Sequence, residues 1–384
     1  KKWEISPDRT VYTFYLRKGM KWSDGAPFTV DDILFWYEDT ILNDEITASK
    51  PSWLMAGGKL PTLEKVDDYT FRFKFAKPHG LLLVQLCYRG VGAPKHYLKQ
   101  FHPKYRPMKE IEAIMKKENF NTWVDLFNDK ANMIYNTELP TINAWKAATS
   151  PTEPFYVLER NPYFWMVDTA GNQLPYIDKI RHEYVKSDDL ILLKAISGEI
   201  DMQWRHIGGL AAGAGNYTLL AENAQKGGYR LLKWIAANGS AVQISLNQCV
   251  NDPVLRPIFR DKRFRYALSL AIDREEINEI IFNGMAKPRQ ASFVSLSPYY
   301  SKEWEEAYAK YDPAAANKLL DEMGLKWDSA KQYRLRPDGK PLSFSIQVTG
   351  QLFVDVCTMV KNYWAKIGVK VEVDNIERSL WESR

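Results

Sequence analysis

Two patterns take turns along this chain, and together they leave few architectures open. Residues 69–75 read Tyr-Thr-Phe-Arg-Phe-Lys-Phe, an unbroken alternation of apolar and polar side chains. An extended strand with one buried face puts every second side chain on the same side, so this period of two predicts a strand. Val11–Arg17 repeats the pattern, with Tyr12, Phe14 and Leu16 sharing a face. Further strands are predicted at 156–160, 180–185, 199–202, 231–235, 241–247, 342–348 and 369–373. Helices that mark their own ends lie between them. Thr29 followed by Asp32 is a capping box, Asp273 with Glu276 is a second start signal, and Asp312-Pro313 joins a capping carboxylate to a proline at the first helical position. Gly198, Gly324 and Gly368 close helices. Residues 108–127 read as one or two amphipathic helices. Strands alternating with capped helices predict an α/β layered fold with mixed sheets.

Length and charge narrow the classes. At 384 residues the chain is sized for two or three domains, about 150 residues each. Its net charge is 52 − 47 = +5, with both signs interspersed, which gives no footprint for nucleic acid. No apolar run reaches the length of about 18 residues that a membrane-spanning helix requires. The small-residue stretch Gly208–Gly215 reads as a loop or hinge. Cys87, Cys249 and Cys357 each sit in an apolar run and are expected to be buried thiols. Aromatic residues are plentiful, with 13 Trp, 21 Tyr and 17 Phe. Most should pack cores, and a few can line a cleft, where Trp and Tyr offer flat faces with a polar handle. The chain opens on Lys1 and enters a strand within ten residues, and both ends read as cut from a longer protein.

Catalytic signatures do not surface. The five histidines (79, 96, 102, 182 and 206) include no pair at the zinc-helix spacing. No nucleophile elbow and no phosphate-binding lysine loop are present. Acidic pairs such as Asp31-Asp32, Asp67-Asp68 and Asp188-Asp189 fall at helix starts or turns, where capping explains them. We expect no enzyme, no cofactor and no metal.

Three blocks then carry a resemblance. Tyr12 to Ile33, which includes Leu16-Arg17-Lys18-Gly19 and Ser23-Asp24-Gly25-Ala26-Pro27-Phe28-Thr29, is similar to the signature of the family 5 extracellular solute-binding proteins. A second block is Arg160-Asn161-Pro162-Tyr163-Phe164-Trp165, then Pro175-Tyr176-Ile177-Asp178, then Ser197-Gly198-Glu199-Ile200-Asp201. A third is Asp261 to Leu268, Ala271-Ile272-Asp273-Arg274, Tyr311-Asp312-Pro313 and Ile367-Gly368-Val369. The resemblance implies a bilobal periplasmic-binding-protein-like fold of type II with an extra small domain. The implied layout is a small α/β domain at 1–148, part of a hinge-bearing lobe at 149–237, and a second lobe at 238–384, incomplete at its C-terminal end. It also implies a substrate-binding component of an ABC importer that closes on a peptide or an oligosaccharide and hands it to a membrane permease. Such a protein works outside the cytoplasmic membrane, periplasmic or extracellular, as a monomer and in some cases as an anchored lipoprotein. The stretch Met166 to Gln173 resembles a branch with oligosaccharide-binding members. A peptide chaperone, a chemosensory receptor and a hydrolase acting on peptides or glycans remain alternatives.

Most residues of these motifs serve the fold: Gly19 and Gly25 suit turns, and Asp24 can bond its own turn backbone. Ligand contacts are expected at lobe edges. Trp204 and Arg205 follow the predicted 199–202 strand, Asn238 and Ser240 flank Gly239, and Gln243 and Asn247 stand on the polar face of the predicted 241–247 strand. Their amides and hydroxyls suit sugar hydroxyls and peptide groups alike.

Overall fold

The computed structural model describes residues 2–208, 215–234 and 237–382. The chain divides into two compact units, Lys1–Tyr184 and Val185–Arg384. Both mix helices with sheets, so the α/β expectation holds.

In the first unit, β1 (Lys2–Ile5), β2 (Val11–Tyr15), β3 (Thr62–Asp67) and β4 (Thr70–Lys74) form an antiparallel sheet ordered β1-β2-β4-β3. Its register sets Tyr12 opposite Phe73 and Phe14 opposite Phe71, and the last two rings stack at 5.2 Å. This aromatic face is the buried one, as the alternation requires. The helix Val30–Leu34 packs on it. Its start is the predicted capping box: the Asp31 N–H donates to the Thr29 hydroxyl (3.3 Å) and the Thr29 N–H to the Asp32 carboxylate (3.0 Å). The helix continues as a π-helical turn over Phe35–Ile41. The predicted amphipathic stretch is two helices, Met108–Glu118 and Trp123–Lys130, which bury Ile111, Leu126 and Phe127 with Phe35 in a second core. A further antiparallel sheet, ordered β5-β6-β7, is built from β5 (Trp145–Ala147), β6 (Phe155–Arg160) and β7 (Lys179–Glu183).

In the second unit, the helices Asp188–Ile196 and Gly215–Gly227 enclose a small core of Leu192, Ala195 and Leu220 with Ile207. The larger core gathers the helices Lys262–Leu270, Arg274–Phe282, Pro313–Glu322 and Gln351–Lys366 around β8 (Ser343–Val348) and β9 (Lys370–Asn375). Phe344 pairs with Val371 in a parallel ladder, and the helix Gln351–Lys366 supplies the crossover that parallel strands need. Trp364 anchors this core, 2% exposed, with its indole N–H donating to the Leu268 carbonyl at 2.9 Å.

Some expectations fail, for physical reasons. Residues 199–202, 231–234 and 241–247 are not in strands. A period of two fixes which side chains share a face, but a strand also needs a neighbour for its backbone, and no ladder reaches these segments among the described residues. The facing survives in 241–247 all the same: Val242, Ile244 and Leu246 pack on the larger core, while Gln243, Ser245 and Asn247 are exposed. Cys87 and Cys249 are exposed, and only Cys357 is buried, because apolar neighbours in sequence do not decide which way one short side chain points. Burial pushes the Cys357 thiol up to about 11. Most of the small-residue stretch at 208–215, and Ile235, lie outside the described residues.

Candidate functional site

The second unit brings four of the six predicted site residues onto one segment, Asn238 to Asn247. Asn238, Gln243 and Asn247 are exposed and Ser240 is half-buried. The Ser240 hydroxyl donates to the Val242 carbonyl (2.7 Å), which stiffens the turn into the segment. The Gln243 amide reaches the Ser245 hydroxyl at 3.5 Å. The Asn247 side-chain oxygen accepts the Cys249 N–H (2.9 Å), so this residue also shapes the turn that leaves the segment. The result is a row of amides and hydroxyls held outward by the three apolar side chains beneath.

Trp204 and Arg205 stand apart. Trp204 is 67% exposed. No hydrogen bond or ring contact joins either residue to the 238–247 segment among the described residues. They lie in an irregular stretch in which the Gln203 amide donates to the Arg205 carbonyl (2.6 Å) and His206 takes a left-handed backbone at φ 70°. His206 Nδ1 lies 3.2 Å from the Asp188 carboxylate at the start of the helix Asp188–Ile196.

Sequence reasoning missed the loop that packs against the segment. Gly239 lies so close to Ser292 that a Cβ there would sit 2.4 Å from the Ser292 carbonyl oxygen, so only glycine fits. The loop that carries Ser292 is stapled by Arg289. Its guanidinium donates to the carbonyls of Ser292 (2.6 Å) and Phe293 (2.9 Å) and to the Glu305 carboxylate (2.7 Å). Glu305, only 2% exposed, also accepts from Lys287 (2.8 Å) and the Tyr300 hydroxyl (2.7 Å). The Lys287 hydrogen bond first, then that of Tyr300, holds the Glu305 carboxyl below the usual carboxylate range. The loop thereby presents Phe293 and Tyr299 to solvent, 49% and 71% exposed, with ring centroids 5.6 Å apart. The signal available in the sequence was charge spacing. No Asp, Glu, Lys or Arg occurs between Lys233 and Asp252, or between Arg289 and Lys302.

Each unit also has a surface hollow among its described residues, lined by residues outside this segment. One, of about 350 Å³, is bounded by Pro151, Phe155, Glu183 and Tyr184 in the first unit. The other, of about 590 Å³, is lined by Leu190, Leu193, Lys194 and Lys226 in the second. Among the described residues no group of three or more His, Cys, Asp or Glu is placed to hold a metal ion, and no helix is long and apolar enough to cross a membrane.

Known proteins resemble this chain along most of its length. The periplasmic alpha-galactoside-binding protein of Rhizobium meliloti (strain 1021) is 29% identical over 350 residues, 88% of this chain and 47% of that protein. The periplasmic oligopeptide-binding protein OppA of Salmonella typhimurium (strain LT2) is 28% identical over 406 residues, 98% of this chain and 62% of that protein. A solved structure of an oligopeptide-binding protein OppA superposes with a TM-score of 0.79 at 66% identity and covers 100% of this chain and 60% of that one. The chain thus spans about half to three fifths of the length of these relatives. The model of the bacterial extracellular solute-binding proteins, family 5 Middle, matches residues 1–384, and the chain belongs to that family.

Proposed function

We propose that the full-length protein is the substrate-binding component of an ABC importer. It captures an oligopeptide or an oligosaccharide by hinge closure and releases it unchanged to a membrane permease. The observation that carries this reading is the family match along the whole chain. The named relatives support it, one a binder of alpha-galactosides and the other of oligopeptides. In the same reading 1–148 is a small extra domain, 149–237 part of the hinge-bearing lobe and 238–384 part of the second lobe. Capture without chemistry agrees with the character of the 238–247 row, whose neutral amides and hydroxyls can bond a ligand and offer no strong acid, base or nucleophile. A periplasmic or extracellular site of action, a monomeric state and lipid anchoring belong to the proposal as well. Only affinity that differs between open and closed forms shifts the balance towards the form a permease accepts.

Native mass spectrometry of the full-length protein, followed by calorimetric titration with oligopeptide and oligosaccharide panels, tests the reading. We expect one ligand class to bind in a one-to-one complex and to be recovered intact after prolonged incubation. Recovery of a cleaved product would overturn it in favour of a hydrolase.

A further inference from the structure

We propose that the loop 289–300 and the turn at Asn238–Ser240 together form a subsite for one ring of a neutral sugar. The proposal rests on the receptor reading above and narrows its ligand to a saccharide. Three observations converge. The first is charge. In a chain with 26% charged residues, the two stretches that meet at Gly239 and Ser292 carry no charged side chain from Trp234 to Asn251 or from Gln290 to Ser301. The charged groups nearest in the loop, Lys287 and Arg289, are both spent on Glu305. A peptide with free ends brings an ammonium and a carboxylate, and stripping water from either is costly without a fixed partner of opposite sign. A neutral sugar brings only hydroxyls and C–H faces.

The second observation is the ring pair. Phe293 and Tyr299 are exposed although their loop is fixed by the Arg289 staple and by the Tyr300–Glu305 hydrogen bond. The Tyr299 N–H is itself held by the Ser297 hydroxyl at 3.2 Å. Apolar rings held out on a rigid loop lose little conformational entropy when a ligand packs on them. With planes inclined at 46° and centroids 5.6 Å apart, they make a flat-walled corner rather than a closed stack. Such a corner matches the apolar C–H face of a pyranose.

The third is the polar rim. Asn238 and Ser240 flank the glycine whose backbone touches Ser292, the residue before Phe293, so an amide and a hydroxyl stand where the turn meets the loop that carries the rings. Asn and Tyr supply both donors and acceptors, as ring hydroxyls require.

The test uses the full-length protein, with melibiose, raffinose and stachyose as a ladder of sugars and free tetra-alanine as the peptide probe. Calorimetry is run on the parent, Tyr299→Ala, Phe293→Ala and Tyr299→Phe, and each variant's thermal transition is checked against the parent's. We expect at least one sugar to bind, and the two alanine variants to bind it roughly tenfold more weakly, about the loss of one stacked ring. Tyr299→Phe, which keeps the ring, should stay within a few-fold of the parent. Sugar binding that is equal in all four proteins would overturn the subsite and leave the receptor reading standing. Binding of tetra-alanine alone would overturn the saccharide assignment and again leave the receptor reading standing. Binding of neither probe class by the parent would count against the receptor reading itself, and the subsite would fall with it.

Discussion

Arg334 shows what a single buried side chain can organise. It is 0% exposed, and its guanidinium donates to the carbonyls of Ile367 (3.0 Å) and Leu325 (2.5 Å), to the Asn317 side chain (2.8 Å) and to Asp321 (2.7 Å). It thereby ties the ends of the helices Pro313–Glu322 and Gln351–Lys366 to one point. Gly368, at φ 81°, leaves room for it, since a Cβ there would sit 2.7 Å from the Arg334 Cγ. Arg334→Met keeps the bulk but strands the buried carbonyls of Ile367 and Leu325, and at about 1–3 kcal/mol for each unsatisfied group we expect a loss of about 2–6 kcal/mol in urea unfolding. Glu305 makes a prediction about pH. Its folded-state carboxyl titrates below the usual range, so its contribution is present above the ordinary glutamate value and fades as pH falls through the lower folded value. Glu305→Gln should therefore be less stable than the parent at neutral pH, and the gap should narrow as the medium is acidified below about pH 4. A gap that stays constant across that window would show that the carboxylate charge does not matter. Neither residue was legible beforehand. Arg334 looks like any surface arginine, and Glu305 meets Arg289 across 16 residues that carry no periodic pattern.

At the scale of elements, helix ends were readable and strand partners were not. A cap is a local contract between a side chain and N–H groups two or three residues on, so its signature lies within a short window. The Asp312 carboxylate accepts the Ala315 N–H (2.9 Å) and the Asp273 carboxylate the Glu276 N–H (3.0 Å), both as the sequence predicts. A ladder depends on a distant segment, and this is why β2 and β4 appear as read while 199–202 and 241–247 do not. The candidate site divides in the same way. The outward row of Gln243, Ser245 and Asn247 followed from period two, whereas the stapled loop with Phe293 and Tyr299 had no pattern to betray it except its missing charges. Asp312→Ala should cost about 1 kcal/mol, the usual worth of an N-cap, read from the urea midpoint at unchanged slope. A larger loss would mean that the Asp312 N–H bond to the Leu270 carbonyl (2.7 Å) depends on the same side chain.

For the whole molecule, the arrangement of cores has a thermodynamic consequence. The first unit is built on the aromatic sheet face around Phe73 and the helical cluster around Phe127. The second is built on the cluster around Trp364 and the smaller one around Leu192. Among the described residues, none is shared between the clusters of one unit and those of the other. Substitutions without common partners add, whereas neighbours in one packed cluster couple. Phe73 is 0% exposed and Trp364 2%, so each change to alanine opens a cavity costing about 3–5 kcal/mol in its own unit. In denaturant unfolding, Phe73→Ala should shift the response of the first unit and Trp364→Ala that of the second, with the double variant equal to the sum within about 0.5 kcal/mol. Phe264 belongs to the same cluster as Trp364 and is likewise fully buried. Pairing Phe264→Ala with Trp364→Ala should therefore depart from the sum by more than that margin. A double variant of Phe73 and Trp364 that also departs by more than the margin would show that the two units fold as one cooperative body.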